Sequence, residues 1–413
     1  MPGTPGSGVC RRIVDTVGLD PLLVESAPGR GNVVARVSGS EPDLPALVVH
    51  GHLDVVPAEA ADWSVDPFAG EITSEASGDV LWGRGAVDMK NMVAMMLATA
   101  RGWSRTDRRP RRDVVFAFTA DEEDASTGAA YLANRHPDLF DGCTEGFSES
   151  GAYTFHLEDG TRIYPVSAGE RGTAWLRLTA RGTAGHGSRP VPENAVGNLA
   201  AAVAAIDRYE WPVRLTPVVQ ASIEAIAQIV GVDVDLRGSD HDIAASVARL
   251  GRAAQLVEPV LRNSANPTML EAGYKINVIP GAATAHVDGR TVPGGADSFE
   301  ATLDELTGPN VEWDYYHHEM PVSAPVHGPT FQAMTDALLA FDPGAQVVPA
   351  CMAGSTDAKQ FARLGIAGYG FSPLKLPEGY DYRAMFHGVD ERVPLSALHF
   401  GVDVLDHFLT TVG

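Results

Sequence analysis

The stretch His50-Gly-His52-Leu-Asp54 follows directly on the apolar run Ala46-Leu47-Val48-Val49, and this junction restricts the fold more than any other feature of the chain. It reads as a buried strand that stops and hands polar side chains to a rim. Along a strand, residues i and i+2 point to the same face. His52 and Asp54 therefore stand side by side, the imidazole free to bind a metal and the carboxylate placed to orient it. A lone histidine is usually structural, so the pair by itself carries little. It gains weight from Gly83-Arg-Gly-Ala-Val-Asp88-Met-Lys90, Asp121-Glu-Glu123, Ser148-Glu149-Ser-Gly151 and Phe386-His387-Gly388 further along the chain.

At 413 residues the chain exceeds the size at which single cores stop growing, so two domains are expected. Its first half alternates short β-branched runs with helical stretches, the pattern of an α/β domain with a mostly parallel sheet. Ala46–Val49 and Val114–Phe118 are the clearest strands; Asn91–Ala100 and Thr127–Asn134 read as helices. Each acidic cluster then lies just past the carboxyl end of a strand, where ligands bind in open α/β sheets. Beyond Gly169-Glu-Arg-Gly172 the character changes. Trp175–Thr179 alternates as a half-exposed strand, Asn194–Ile206 is an Ala-rich helix, and Tyr274–Val278 and Thr284–Val287 read as strands around Ile279-Pro-Gly281. With Ser298–Leu306 as helix and Val311–His317 as strand, the order β-α-β-β-α-β predicts an inserted ferredoxin-like α+β module, which the stretch from about Pro212 to Pro267 fits poorly. The expected partition is 1–170 and 323–413 for a discontinuous first domain and 171–322 for the insertion.

His52, Asp88, Glu123, Glu149 and His387 can together hold two metal ions. Carboxylate and imidazole ligands without thiolates suit Zn²⁺, with Co²⁺ or Mn²⁺ as alternatives, and a bridging carboxylate holds two ions about 3.5–4 Å apart. Asp88 is the natural bridge. Glu122 neighbours a ligand, but adjacent side chains on an extended segment diverge, so Glu122 can act as a base while Glu123 faces metal. Singly, each residue has a plainer use: Asp88 as a helix cap, Asp121–Asp124 as a solvated acidic turn at a helix start. The order and rim positions of the whole set favour the metal site.

His50-Gly-His-Leu-Asp-Val-Val-Pro57, Trp63-Ser-Val-Asp-Pro-Phe68 and Trp82-Gly-Arg-Gly-Ala-Val-Asp-Met-Lys90 resemble the catalytic-domain signatures of a dinuclear-zinc metallopeptidase family. That family includes carboxypeptidase G, aminoacylase, acetylornithine deacetylase and succinyl-diaminopimelate desuccinylase, and the likeness runs from about Asn32 to the carboxyl terminus. The resemblance implies a zinc-exopeptidase-like catalytic domain with an inserted lid and dimerisation domain. It implies that Asp54 orients His52, that Glu122 is general base and acid, and that Asp88 bridges two ions. Glu123 and His387 would complete one ion's shell, His52 and Glu149 the other's, with a cis peptide at Asp88-Met89. In Gly185-His186-Gly-Ser188 it implies a lid histidine that reaches the partner subunit's active site. Asn277 and Arg290 would hold the substrate's carboxylate, and Ser355 in Gly354-Ser-Thr-Asp-Ala358 would lie near the substrate. The chain departs from the family in the Ser-Gly that follows Glu149 and in a shortened opening helix, about Gly8–Val17.

A formal net charge of -22 repels phosphate backbones, so nucleic acid is not an expected partner despite the Arg-rich loop Arg105–Arg112. No run of about 18 apolar residues marks a membrane span and no basic-then-apolar leader opens the chain, which predicts a cytoplasmic protein. Cys10, Cys143 and Cys351 are scattered and odd in number, as reduced thiols are. The expected activity is metal-dependent hydrolysis of an amide next to a free carboxylate, in a small peptide or an N-acyl amino acid, by a homodimer. Carbamoyl amino acid hydrolysis on the same scaffold, or a non-catalytic binding relic, are the alternatives; retention of Glu122 speaks against the relic.

Overall fold

The computed structural model describes residues 20–76, 78–106 and 108–413. The short opening helix expected at Gly8–Val17 and Cys10 lie outside the described residues. The chain forms two compact units. One comprises the residues up to Ala168 with Ser323–Ala350 and Thr356–Gly413; the other comprises Gly169–Val322 with Cys351–Ser355.

In the first unit the chain runs β1 (Leu22–Ala27), β2 (Arg30–Val37), β3 (Ala46–His52), β4 (Ile72–Glu75), β5 (Gly78–Trp82), α1 (Lys90–Arg105), β6 (Val114–Thr119), α2 (Thr127–Arg135), β7 (Cys143–Ser148), β8 (Phe155–His156) and β9 (Arg162–Glu170). β3 and β6 are buried along their whole length, as near-continuous apolar strands covered on both faces must be. The middle of the large sheet is parallel. β3 pairs parallel with β6 and β7, and β7 with Ala367–Gly370, while β1–β2, β2–β6 and β8–β9 are antiparallel. The sheet is therefore mixed rather than mostly parallel, because hairpins close both flanks of the parallel centre.

Alternation along β3 assigns its faces. Ala46 and Val48 pack with Ala129, Leu132 and Phe361 in one apolar cluster. Gly51 lies on the opposite face, under α1, where a Cβ would come within 2.9 Å of Met89 Cε and 3.2 Å of Val93 Cγ2. Glycine is what allows that helix to sit against the end of the strand.

The second unit runs β10 (Gly172–Arg181), β11 (Gly185–His186), α3 (Ala195–Arg208), α4 (Pro217–Val230), α5 (Asp240–Ala248), β12 (Ser264–Ala272), β13 (Val278–Ile279), β14 (Ala282–Thr291), α6 (Ala296–Thr307) and β15 (Val311–Glu319). Its antiparallel sheet has the order β12-β14-β10-β15. Ala174, Leu176, Leu178 and Ala180 alternate inward against Leu199 and Ile206 of α3 and Phe299 and Leu303 of α6, while Trp175 between them stays 39% exposed. This is the period-2 pattern of a sheet with one covered face.

One strand lies elsewhere than the sequence predicts. Tyr274–Val278 is not a strand apart from the two-residue β13; β12 supplies the pairing instead. Its Pro267 deters a strand assignment, yet proline is tolerated at an edge and at a bulge, and β12 is both an edge strand and irregular between Pro267 and Met269. The segment that fitted the module poorly carries α4 and α5. α4 is capped by Thr216, whose Oγ1 accepts the Val219 N–H, and α5 by a capping box between Ser239 and Asp242.

The chain then returns to the first unit through β16 (Val322–Ser323), α7 (Pro329–Phe341), β17 (Gln346–Met352), α8 (Ala358–Ala362), β18 (Ala367–Gly370), β19 (Arg392–Pro394) and α9 (Leu395–Thr411). β19 pairs with β5, and β5 with β4, in a small separate sheet. No helix among the described residues is long and apolar enough to cross a membrane.

Candidate active site

β3 ends at His52, whose side chain is 1% exposed. Its Nε2 lies 2.9 Å from Asp88 Oδ1 and 3.8 Å from Glu149 Oε1. Asp88 sits between β5 and α1, preceding a cis Asp88-Met89 peptide, and Glu149 follows β7. The other oxygen of Asp88, Oδ2, is 3.3 Å from His387 Nε2, which is also 3.1 Å from Glu123 Oε2. One carboxylate thus faces two imidazoles through its two oxygens. His52, Asp88 and Glu149 form one group of converging donor atoms, and Asp88, Glu123 and His387 form a second that shares Asp88.

Asp54 touches His52 and the loop after β6 together. Its Oδ1 accepts the Glu122 N–H at 3.1 Å and its Oδ2 the Glu123 N–H at 3.0 Å. His52 Nδ1 lies 3.6 Å from Oδ1, and 3.1 Å from the Asp54 backbone carbonyl oxygen. The carboxylate therefore clamps the loop after β6 while also facing the imidazole. That loop needs holding: Asp121, Ala125 and Ser126 adopt left-handed backbone at φ 59°, 62° and 53°. Arg30 pairs with Asp121 at 3.1 Å, and the Ser126 N–H closes onto Glu122 O at 3.0 Å. The side chains of Glu122 and Glu123 both lie within 4.8 Å of His52 in a third converging group.

The residues present fit a pair of cations. The carboxylates of Asp54, Asp88, Glu122, Glu123 and Glu149 crowd around the imidazoles of His52 and His387, and Glu123 Oε1 is buried without a hydrogen-bond partner. Such orphaned acceptors are rare in native interiors. Burial, and after it the charge of Asp88, pushes Glu149 well above the ordinary carboxylate range. Burial raises Glu122 as well, with Asp357, Glu123 and Asp88 adding to it. Burial opposes ionisation of Asp88 too, but hydrogen bonds from His387 and His52 outweigh it and hold that carboxyl low. Hydrogen bonds to Asp88 and Glu123 raise His387 to about 10. The protein's own groups leave the cluster short of positive charge, and an oxygen and imidazole donor set suits borderline divalent ions.

The remaining expected residues lie in the second unit. His186 is exposed on β11, paired with Val278 of β13, and the Gly187 N–H donates to Asn277 O at 2.9 Å, which brings His186 and Asn277 together. The Ser188 N–H donates to His186 Nδ1 at 3.2 Å, which leaves the proton of a neutral ring on Nε2. Arg290 is held by Asp288, Nε to Oδ1 at 2.7 Å and Nη2 to Oδ2 at 3.1 Å. Ser355 Oγ donates to Glu319 Oε2 at 2.9 Å.

Two features escaped the sequence reading. Asp357 is 2% exposed and accepts the Thr119 hydroxyl at 2.5 Å; burial raises its carboxyl to about 6. It fixes the end of β6 just before the Glu122 loop, and an acidic residue at the start of a short helix gives no sign of that. The second is a buried pair between Arg84 and Glu391.

Comparison with known proteins agrees with this geometry. Human N-fatty-acyl-amino acid synthase/hydrolase PM20D1 is 28% identical over 374 residues, 87% of this chain and 73% of the relative. Pig aminoacylase-1 is 26% identical over 407 residues, 96% of this chain and 87% of the relative. Among solved structures, the M20 family metallo-carboxypeptidase Sso-CP2 of Sulfolobus solfataricus superposes with a TM-score of 0.71 at 18% identity, covering 98% of this chain and 93% of that one. Human carnosine dipeptidase 1 superposes with a TM-score of 0.66 at 17% identity, covering 98% and 88%. Residues 48–411 match the sequence profile of peptidase family M20/M25/M40, and the chain belongs to that family of hydrolases acting on C–N bonds.

Proposed function

We propose that this protein hydrolyses the amide bond of an N-acyl amino acid or small peptide next to a free carboxylate, using two divalent ions, with zinc the expected metal. The observation that carries the reading is Asp88, whose two oxygens face His52 at 2.9 Å and His387 at 3.3 Å, so that two donor groups share one carboxylate. His52 and Glu149 would complete one ion's ligands, Glu123 and His387 the other's. When bound, such a pair of ions polarises a carbonyl and acidifies water.

The chain's own residues do the rest. Glu122, held through its backbone by Asp54, takes a proton from water and returns it to the leaving nitrogen. Arg290 and Asn277 capture the substrate carboxylate, Arg290 by exchanging Asp288 for it, and the Ser355 hydroxyl borders the substrate. His186, with its proton fixed on Nε2, donates to the developing oxyanion in a partner's site. The second unit acts as lid and dimer contact. This is supported by the unpaired edge of β12 and the exposed Met269, Leu270, Tyr274 and Ile276 on and beside it.

The name of one relative, N-fatty-acyl-amino acid synthase/hydrolase, favours that substrate class over longer peptides. The test is a screen of the zinc-loaded protein against N-acyl amino acids, dipeptides and carbamoyl amino acids, each with its methyl ester. Turnover of free acids and loss of turnover with the esters is expected. Equal turnover of acid and ester overturns carboxylate capture, and turnover of carbamoyl compounds alone overturns the amide assignment.

A further inference from the structure

We propose that the buried Arg84–Glu391 pair is the positioning element that holds His387 within reach of Asp88 and so completes one end of the metal centre; this rests on the two-ion reading above. His387 needs such an element. Its side chain is 56% exposed, where those of His52, Asp88, Glu123 and Glu149 are 13% exposed or less. It follows the single turn Arg383–Met385, and both it and Asp390 adopt left-handed backbone at φ 56°. Its own packing does not fix its place.

Glu391 does. It is 0% exposed, and its two carboxylate oxygens and its carbonyl oxygen are all bonded to the segment that carries Asp88. Oε1 accepts Arg84 Nη1 and Oε2 accepts the Gly85 N–H, both at 2.5 Å, while its carbonyl accepts the Gly83 N–H at 2.9 Å. Arg84 is anchored in turn: its N–H donates to Pro67 O at 2.8 Å, Nη2 reaches Pro57 O at 3.4 Å, and the guanidinium lies 5.0 Å from the Trp63 ring centre. Beside Glu391, Asp390 accepts the Ser64 N–H and hydroxyl, both at 2.8 Å, and Arg392 pairs with Trp82 where β19 meets β5. The Asp88 loop and the His387 loop thus leave the small sheet from one stapled point. His52 and Glu149 hang instead from β3 and β7 of the large sheet, and share only Asp88 with the other group. Loosening the staple should therefore weaken the His387 end more than the His52 end.

The test compares wild type with Glu391→Gln, in which the amide oxygen can still accept the Gly85 N–H, and with Arg84→Met/Glu391→Gln, which leaves no unpaired buried charge. Zinc is titrated into each apo-protein by calorimetry, retained metal is counted by elemental analysis, and apo-protein folding is followed by circular dichroism. The expected result is folded apo-protein in which one zinc binds about 10- to 100-fold more weakly than in wild type and the other is weakened much less. Unchanged affinity for both ions overturns the proposal. So does equal weakening of both, or failure of both variants to fold, since either means general scaffolding. A wild type that binds fewer than two ions instead sinks the two-ion reading on which the proposal stands.

Discussion

Asp54→Asn separates the two things the Asp54 carboxylate could be for. As built, it accepts the Glu122 and Glu123 backbone N–H groups at 3.1 and 3.0 Å, and its contact with His52 Nδ1 is longer, at 3.6 Å. An asparagine keeps the backbone carbonyl that lies 3.1 Å from that nitrogen. It also keeps one side-chain acceptor, now neutral, but turns an NH₂ toward the other backbone N–H. A hydrogen bond to a charged group is thereby lost, worth about 1.5–3 kcal/mol. The loop has little slack to absorb this, because left-handed residues such as Asp121, Ala125 and Ser126 each store about 1–3 kcal/mol that the surrounding bonds must hold. With 1.36 kcal/mol per factor of ten, misplacement of Glu122 by that amount lowers kcat about 10- to 150-fold. With excess zinc the metal sites should still fill, since Asp54 supports Glu123 and His52 without supplying a ligating oxygen itself. The assay is kcat at saturating substrate beside elemental analysis of the same protein. Unchanged kcat refutes the clamp, and so does a variant that loses an ion and recovers full kcat with excess zinc, because Asp54 would then be acting through His52.

Glu122→Gln should fold and keep its ions while kcat falls about 10²- to 10⁴-fold, whereas Glu123→Gln should weaken metal retention; the reverse pattern would exchange their roles. In Asp88→Ala both donor groups lose their shared member, and retention of two tightly held ions by elemental analysis would contradict bridging. His186→Ala and Glu122→Gln chains, each nearly inactive, should regain partial activity when mixed under conditions of subunit exchange, and no recovery in exchanging dimers counts against donation in trans. Asp342 is 2% exposed and bound by Arg162 at 2.6 Å, Tyr164 at 3.0 Å and Lys375 at 3.1 Å. Burial raises its carboxyl, but these partners outweigh burial and hold it below its ordinary value. Its stabilisation is therefore full above about pH 4 and is lost as pH falls through the lowered value. Asp342→Asn should unfold at lower temperature than wild type at pH 7, with the gap narrowing toward pH 3; a gap that widens in acid would reverse the assignment.

What could be seen in the sequence follows from where each signal is written. β3 and β6 were legible because burial on both faces leaves unbroken apolar runs, and His52 because polar residues interrupt such a run abruptly. β12 was not, since most of its residues are exposed and an uncovered edge leaves no apolar alternation to detect. The mixed character of the large sheet was hidden for a related reason: strand direction is set by pairings between distant segments. In the site, each candidate ligand lies in a short local pattern. Arg84 and Asp357 also lie in such patterns, but nothing in those patterns, or around Glu391, names the partner of either. The partners in the Arg84–Glu391 pair stand 307 residues apart, and a buried carboxylate whose partner is so distant looks in sequence like any surface acid.

The proposed division of labour between Glu122 and Glu123 draws on geometry where adjacency leaves the roles open. The two share a loop and one clamping carboxylate, and both approach His52. Only Glu123 touches His387, at 3.1 Å, and only Glu123 joins a donor group that contains Asp88. Glu122 joins only the group with His52 and Glu123 and neither group sharing Asp88, which supports the proposal that its carboxyl serves protons. Because backbone support is common to both, a difference between their glutamine variants can arise only from the side chains, and metal content against kcat is the measurement that reads it.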